Sequence, residues 1–199
     1  MKTVAIVYHS GMGNTARIAE AVAVGAEGVD GIRVERCAIV GSRITEGRWE
    51  DAATMSTLAS SDAIVFGAPT YMGMVSGPFK CFADATAELW FSMAWKDKIA
   101  GGFTTSGYAS GDKVMTLHYM ATLAAQLRMV WVGPAAPPSN LTNDGEDIDR
   151  WEFYLGLGAR GHAPPEDGFP DDGDIRTAEH YGARIARAAL HWRTGDVAP

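Results

Sequence analysis

Thr3-Val4-Ala5-Ile6-Val7-Tyr8 is an unbroken apolar, β-branched run of strand length. A run without polar alternates belongs to a strand covered on both faces. After a break at Ser10–Asn14 the period changes. Ile18, Val22 and Ala26 recur at helical spacing, and Gly28 marks the stop. The same alternation then repeats. Ile32–Val40 predicts a second, shorter strand and Trp49–Ala59 a weak helix. Asp62–Gly67 predicts a buried strand stopped by Pro69, and Pro78 opens a helix running through Trp90. Lys98–Thr105 reads as a strand, Asp112–Leu127 as a helix, and Met129–Val132 as a strand ended by Gly133-Pro134. Thr177–Trp192 closes the chain with Tyr181, Ile185, Ala188 and Trp192 on one face. Strands alternating with helices predict an α/β fold: a doubly wound, five-stranded parallel sheet with helices on both faces, residues 1–199 forming one domain. Pro137–Arg176, rich in Pro, Gly, Asn and Asp, is too long for an ordinary connection and reads as a functional or partly disordered loop.

In such a sheet ligands sit beyond the carboxyl ends of the strands, and three of those ends carry unusual residues. Ser10-Gly11-Met12-Gly13-Asn14-Thr15 offers hydroxyls, an amide and flexible backbone at a helix start, where the dipole favours a phosphate. As a strand-to-helix turn with a Ser or Thr cap it is equally well explained. Gly11–Ala16 also satisfies the dinucleotide pattern G-x-G-x-x-A, with Glu35 at the spacing of a ribose-binding acid, whereas no Gly-Lys-Ser/Thr exists for triphosphate hydrolysis. Pro69-Thr70-Tyr71-Met72-Gly73 sets Tyr and Met beside Gly, a flat polarizable wall suited to an aromatic ring. Thr105-Ser106-Gly107-Tyr108-Ala109-Ser110 clusters hydroxyls and amides fit for the polar edge of a heterocycle. A phosphate cradle, an apolar wall and a polar edge together describe a site for flavin mononucleotide (FMN).

These residues, with Phe66-Gly67-Ala68, Leu89-Trp90 and Phe103-Thr104, resemble the flavodoxin-like NAD(P)H:quinone oxidoreductases of the tryptophan-repressor-binding-protein family and related FMN reductases. The likeness runs to about Pro134 and resumes in the last helix. It implies a flavodoxin-like fold, FMN as cofactor, NADH or NADPH as donor, quinones as acceptors and a homotetramer or homodimer. By the same resemblance Ser10–Thr15 hold the FMN phosphate, and Thr70–Met72 with Thr105–Ser110 hold the ring and ribityl chain. Met12 and Trp90 meet the substrate, Trp90 from a neighbouring subunit. Gln126-Leu127 stands where the family has a His-His pair, which puts Gln126 at the flavin. An alternative within the same fold is a flavodoxin-type one-electron carrier.

Composition narrows the partners. The chain carries a net charge of −7, which disfavours nucleic acid and anionic membranes. Residues 143–174 hold ten acidic residues against Arg150 and Arg160, so the acidity belongs to that segment. An apolar island, Trp151–Leu155, lies within it and is expected to be buried against the sheet's carboxyl edge or a neighbouring subunit, shielding the site. Five histidines form no metal-binding spacing, and Cys37 and Cys81 read as buried free thiols of a reducing cytoplasm. No run is long enough to span a bilayer, and the N-terminal apolar stretch is too short for a signal peptide. Trp131 and Trp192 read as core, while Trp90 and Trp95 are placed equally well in the core or at an interface.

Overall fold

A computed structural model of the chain describes residues 1–137, 139–142, 145, 147–162 and 169–192. Its elements are β1 (Lys2–Tyr8), α1 (Asn14–Glu27), β2 (Ile32–Ala38), β3 (Ile44–Thr45), β4 (Arg48–Trp49), α2 (Ala52–Ser60), β5 (Ala63–Tyr71), β6 (Met74–Val75), α3 (Gly77–Ala85), α4 (Ala87–Ser92), β7 (Ile99–Ser106), α5 (Lys113–Gln126), β8 (Val130–Trp131), α6 (Ser139–Thr142), β9 (Leu157–Arg160) and α7 (Asp172–His191). The main sheet runs β2-β1-β5-β7-β8, all parallel.

The continuous apolar runs work as a two-faced core. Along β1, Val4 and Ile6 pack beneath α1 and α7, while Ala5 and Val7 pack on the opposite side with Leu58 of α2 and Phe79 and Phe82 of α3. Ala63 and Val65 of β5 face the first layer, Ile64 and Phe66 the second. That is the period of two expected of a strand, with both faces buried. Phe66, Phe79, Phe82 and Trp49 form a linked set of edge-on and tilted aromatic contacts, with ring centroids 5.3 to 6.5 Å apart.

The structure corrects several sequence readings. Pro69 does not stop β5: the strand runs on to Tyr71, and Pro69 sits opposite Thr105. Pairing with β1 ends at Gly67, so no strand on that side requires the missing N–H. The helix predicted through Trp90 is two helices broken at buried Thr86, whose hydroxyl donates to the Ala83 carbonyl at 2.7 Å and competes with the helical ladder. Trp95 is fully buried, so it is core; Trp131 and Trp192 are half-buried at the core's margin, as is Cys81.

The largest revision is at the sheet edge. β8 pairs with Ile99–Ala100 at the start of β7, and β9 pairs in parallel with Phe103–Ser106 at its end. The fifth strand is therefore split, and residues 132–156 leave and re-enter along one edge. Leu157 and Ala159 face the core while Gly158 and Arg160 are half-exposed, the same period of two. Three bonds close the split. The Tyr181 hydroxyl accepts from the Gly102 N–H and donates to the Val132 carbonyl, and Trp131 Nε1 donates to the Leu155 carbonyl at 2.7 Å. The island is half in: Trp151, Phe153 and Leu155 are partly buried, but Tyr154 is 66% exposed.

Candidate functional site

The cleft lies where β1, β5 and β7 end at the carboxyl edge. Ser10 Oγ accepts from the N–H groups of Gly13 and Ala16, both at 3.1 Å, and ties the loop to the start of α1. Gly13 has φ 91°, a left-handed conformation natural to glycine. A methyl group at Gly11 would run into the Tyr71 hydroxyl, so Tyr71 lies folded over the loop. On the second side β5 and β6 form a tight hairpin with Met72 and Gly73 both at positive φ (49° and 79°), the signature of a type I′ turn. The turn leaves Met72 fully exposed.

Beneath the cleft is a buried hydroxyl ladder. Thr15 and Thr105 share a hydrogen bond of 2.8 Å, and Thr70 makes bonds of the same length with Thr104 and Thr116. Thr104, Thr105 and Ser106 thus belong to β7 rather than to a loop, and the third loop begins at Gly107. The Thr15 hydroxyl is engaged with its neighbour strand, so it positions the loop as well as facing the cleft.

The cavity, about 150 Å³, is lined by Met12, Asn14, Thr15, Pro69, Thr70, Tyr71, Thr105, Ser106 and Gly107 from the three loops named by the sequence, and by Gly161 and His162, which were not. Gly161 and His162 arrive through β9, inside the long segment read from the sequence as a loop. Asn14 joins the two parts: its Nδ2 donates to the His162 carbonyl at 2.9 Å, while its buried Oδ1 has no partner. Ser10, Gly11 and Gly13 form the loop's backbone; Met72, Gly73, Tyr108, Ala109 and Ser110 lie outside the lining residues. His9, just before the loop, hydrogen bonds Ser76 at 2.8 Å, and burial holds its imidazole below the usual pKa.

Trp90 and Gln126 lie elsewhere. They line shallow hollows together, where the Arg128 guanidinium covers the Trp90 ring at 5.3 Å. Gln126 ends α5, whose first residue faces the cleft's third loop, so about 20 Å of helix separates it from that loop. Within one chain Gln126 therefore stands apart from the cleft.

A carboxylate organises the outer wall. Asp174, almost wholly buried in the first turn of α7, accepts from Trp151 Nε1 and from the Arg160 N–H, each at 2.8 Å. Burial pushes its pKa up to about 6. Folded protein thus binds this proton more tightly than unfolded chain does, so the carboxyl's contribution to stability is complete below about pH 4 and is lost as pH rises through about 6. The stability of wild type relative to Asp174→Asn should fall over that window in urea titrations. A gap independent of pH would contradict the assignment.

The cleft's donors suit a phosphorylated, hydroxyl-rich cofactor. Loop N–H groups sit at a helix start, Asn14 Oδ1 awaits a donor, and no acidic side chain lines the cavity. A family model described as NADPH-dependent FMN reductase matches residues 1–142. The chain belongs to that family. This FMN reductase family member is 37% identical over 188 residues, 94% of the chain and 96% of the relative, to flavodoxin FldP of Pseudomonas aeruginosa. It is 31% identical to an NAD(P)H dehydrogenase (quinone) of Archaeoglobus fulgidus, covering 95% of this chain and 98% of that one. Among solved structures, a flavodoxin, WrbA-like protein from Agrobacterium tumefaciens matches with a TM-score of 0.73 at 37% identity, over 97% of this chain and 100% of the other. The fold is flavodoxin-like, and the chain is an FMN-binding oxidoreductase of this family. No helix among the described residues is long and apolar enough to cross a membrane.

Proposed function

We propose that the chain passes electrons from NADH or NADPH to quinones or similar planar acceptors, with FMN held by Ser10–Thr15 at its phosphate and by Pro69–Gly73 and Thr105–Ser110 around its ring. Bound FMN supplies the redox chemistry; the protein supplies position and electrostatics. Loop N–H groups and the start of α1 neutralise the phosphate. Asn14 Oδ1 takes a ribityl hydroxyl, and the buried threonines fix the strand ends that carry both walls. The observation that carries the reading is the rim. Met12, Tyr71, Met72 and Tyr108 are all exposed beside the cleft and offer flat, polarizable surface rather than charge. Such a rim receives a planar nicotinamide or quinone in turn and needs no acid or base from the protein.

Trp90, Phe91 and Met93 expose a second apolar patch, with the Trp90 and Phe91 rings edge-on at 5.0 Å. It supports a homo-oligomer in which Trp90 of another copy completes the acceptor side near Met12. A one-electron carrier is favoured by a different observation: two of the 37%-identical proteins are called flavodoxins. Steady-state assays separate the two. The proposal expects sustained NAD(P)H oxidation with benzoquinone. A carrier would show FMN binding and no such turnover.

A further inference from the structure

Lys113 is fully buried, yet it occupies the first position of a helix. Both circumstances disfavour an ammonium: burial strips its water, and a helix start already carries partial positive charge. No carboxylate among the described residues forms an ion pair with it. Instead Nζ donates to the backbone carbonyls of Tyr108 (2.6 Å), Ala109 (2.8 Å) and Ser110 (3.4 Å) and sits 5.5 Å from the centre of the Phe153 ring. Three carbonyls of the third loop are therefore gathered around one cation. Asp112, the residue just before, is held at φ 54° to make the turn.

We infer that Lys113 is a positioning residue for FMN: its ammonium fixes the backbone of residues 108–110 and supplies the cleft with a positive charge that favours reduced, anionic FMN over the oxidised form. This rests on the cofactor placement proposed above. It also gives the split edge strand a role, because Phe153, which covers the cation, comes from residues 132–156. The charged groups facing Lys113 are Asp174 from α7, which favours its ammonium, and Arg160 from β9, which opposes it. Burial lowers the Lys113 pKa to about 8, so the charge is present at neutral pH and is lost above that value. Burial raises the Asp174 pKa only to about 6 and arginine stays charged throughout, so of these three groups Lys113 is the one that changes charge near pH 8.

The test is an anaerobic titration of the protein with oxidised and with dithionite-reduced FMN, read as the ratio of the two dissociation constants. Lys113→Met should reduce the preference for reduced FMN about tenfold, while Lys113→Arg, which keeps the charge, should stay near wild type. In wild type the preference should decline as pH rises through about 8, and in Lys113→Arg it should not. Equal weakening of both forms in Lys113→Met would mean a structural role only and would overturn the inference. Should that variant fail to fold, the wild-type pH profile decides, and a flat profile overturns it. A wild type that binds neither form removes the proposed site and this inference together, whereas failure of quinone turnover alone leaves the inference standing.

Discussion

Gly182→Ala is expected to cost about 1–3 kcal/mol of stability, and Gly182→Leu more. α1 and α7 cross on one side of the sheet with backbones nearly touching. A β-carbon at Gly182 would meet the carbonyl of Val22, and one at Gly25 would meet the carbonyl of Glu179. Both obstacles are backbone, so no side chain can turn aside. Alanine gains about 1 kcal/mol of helix propensity over glycine, which alone would predict a stabilised variant. The clash should win, because separating the helices opens the layer of Ile18, Val22, Tyr181 and Ile185 against β1 and β5. For a domain of this size the melting temperature should fall by about 2–4 °C per kcal/mol. Urea midpoints at unchanged slope would measure it, and a raised midpoint for Gly182→Ala would show that the helices are free to part.

Asn14→Leu is expected to weaken FMN binding by one to two powers of ten while the fold persists. The substitution removes the bond to the His162 carbonyl and the only buried side-chain acceptor in the cleft left without a partner among the described residues. Lost hydrogen bonds of this kind cost about 1–3 kcal/mol each when the other partner stays buried, and every 1.4 kcal/mol is tenfold in affinity. Gly161 packs directly on the Asn14 side chain, so the longer-range effect should be looser residues 161–162. Calorimetric titration of apoprotein with FMN reads the affinity. An unchanged constant would remove Asn14 from the site.

Much of this architecture was legible because the runs were long and their periods clear. Val4–Tyr8 and Ile64–Phe66 announce two-faced strands, and Ile18, Val22 and Ala26 announce the helix that covers one of those faces. β9 was not legible. Its four residues include a glycine, lie within a stretch rich in turn formers, and acquire strand geometry only by pairing with the free edge of Phe103–Ser106. The same non-local pairing delivers Gly161 and His162 to the cleft, which is why no local signal marked them. Pro69 misled for a related reason: whether a proline ends a strand depends on which neighbour asks for its N–H. Nothing in the sequence around Lys113 marks it, and only the fold shows it surrounded by carbonyls. Trp90 and Gln126 were assigned through resemblance alone, and within one chain they stand apart from the cleft.

The central claim is that the Ser10–Thr15 loop at the start of α1 is a phosphate seat. Its most direct measurement compares the affinity of apoprotein for FMN with that for riboflavin, which shares the ring and ribityl chain but lacks the phosphate. Two or three charge-assisted bonds from loop N–H groups should make FMN bind at least about a hundredfold tighter, with the advantage shrinking as salt is added. Equal affinity for the two would contradict the account.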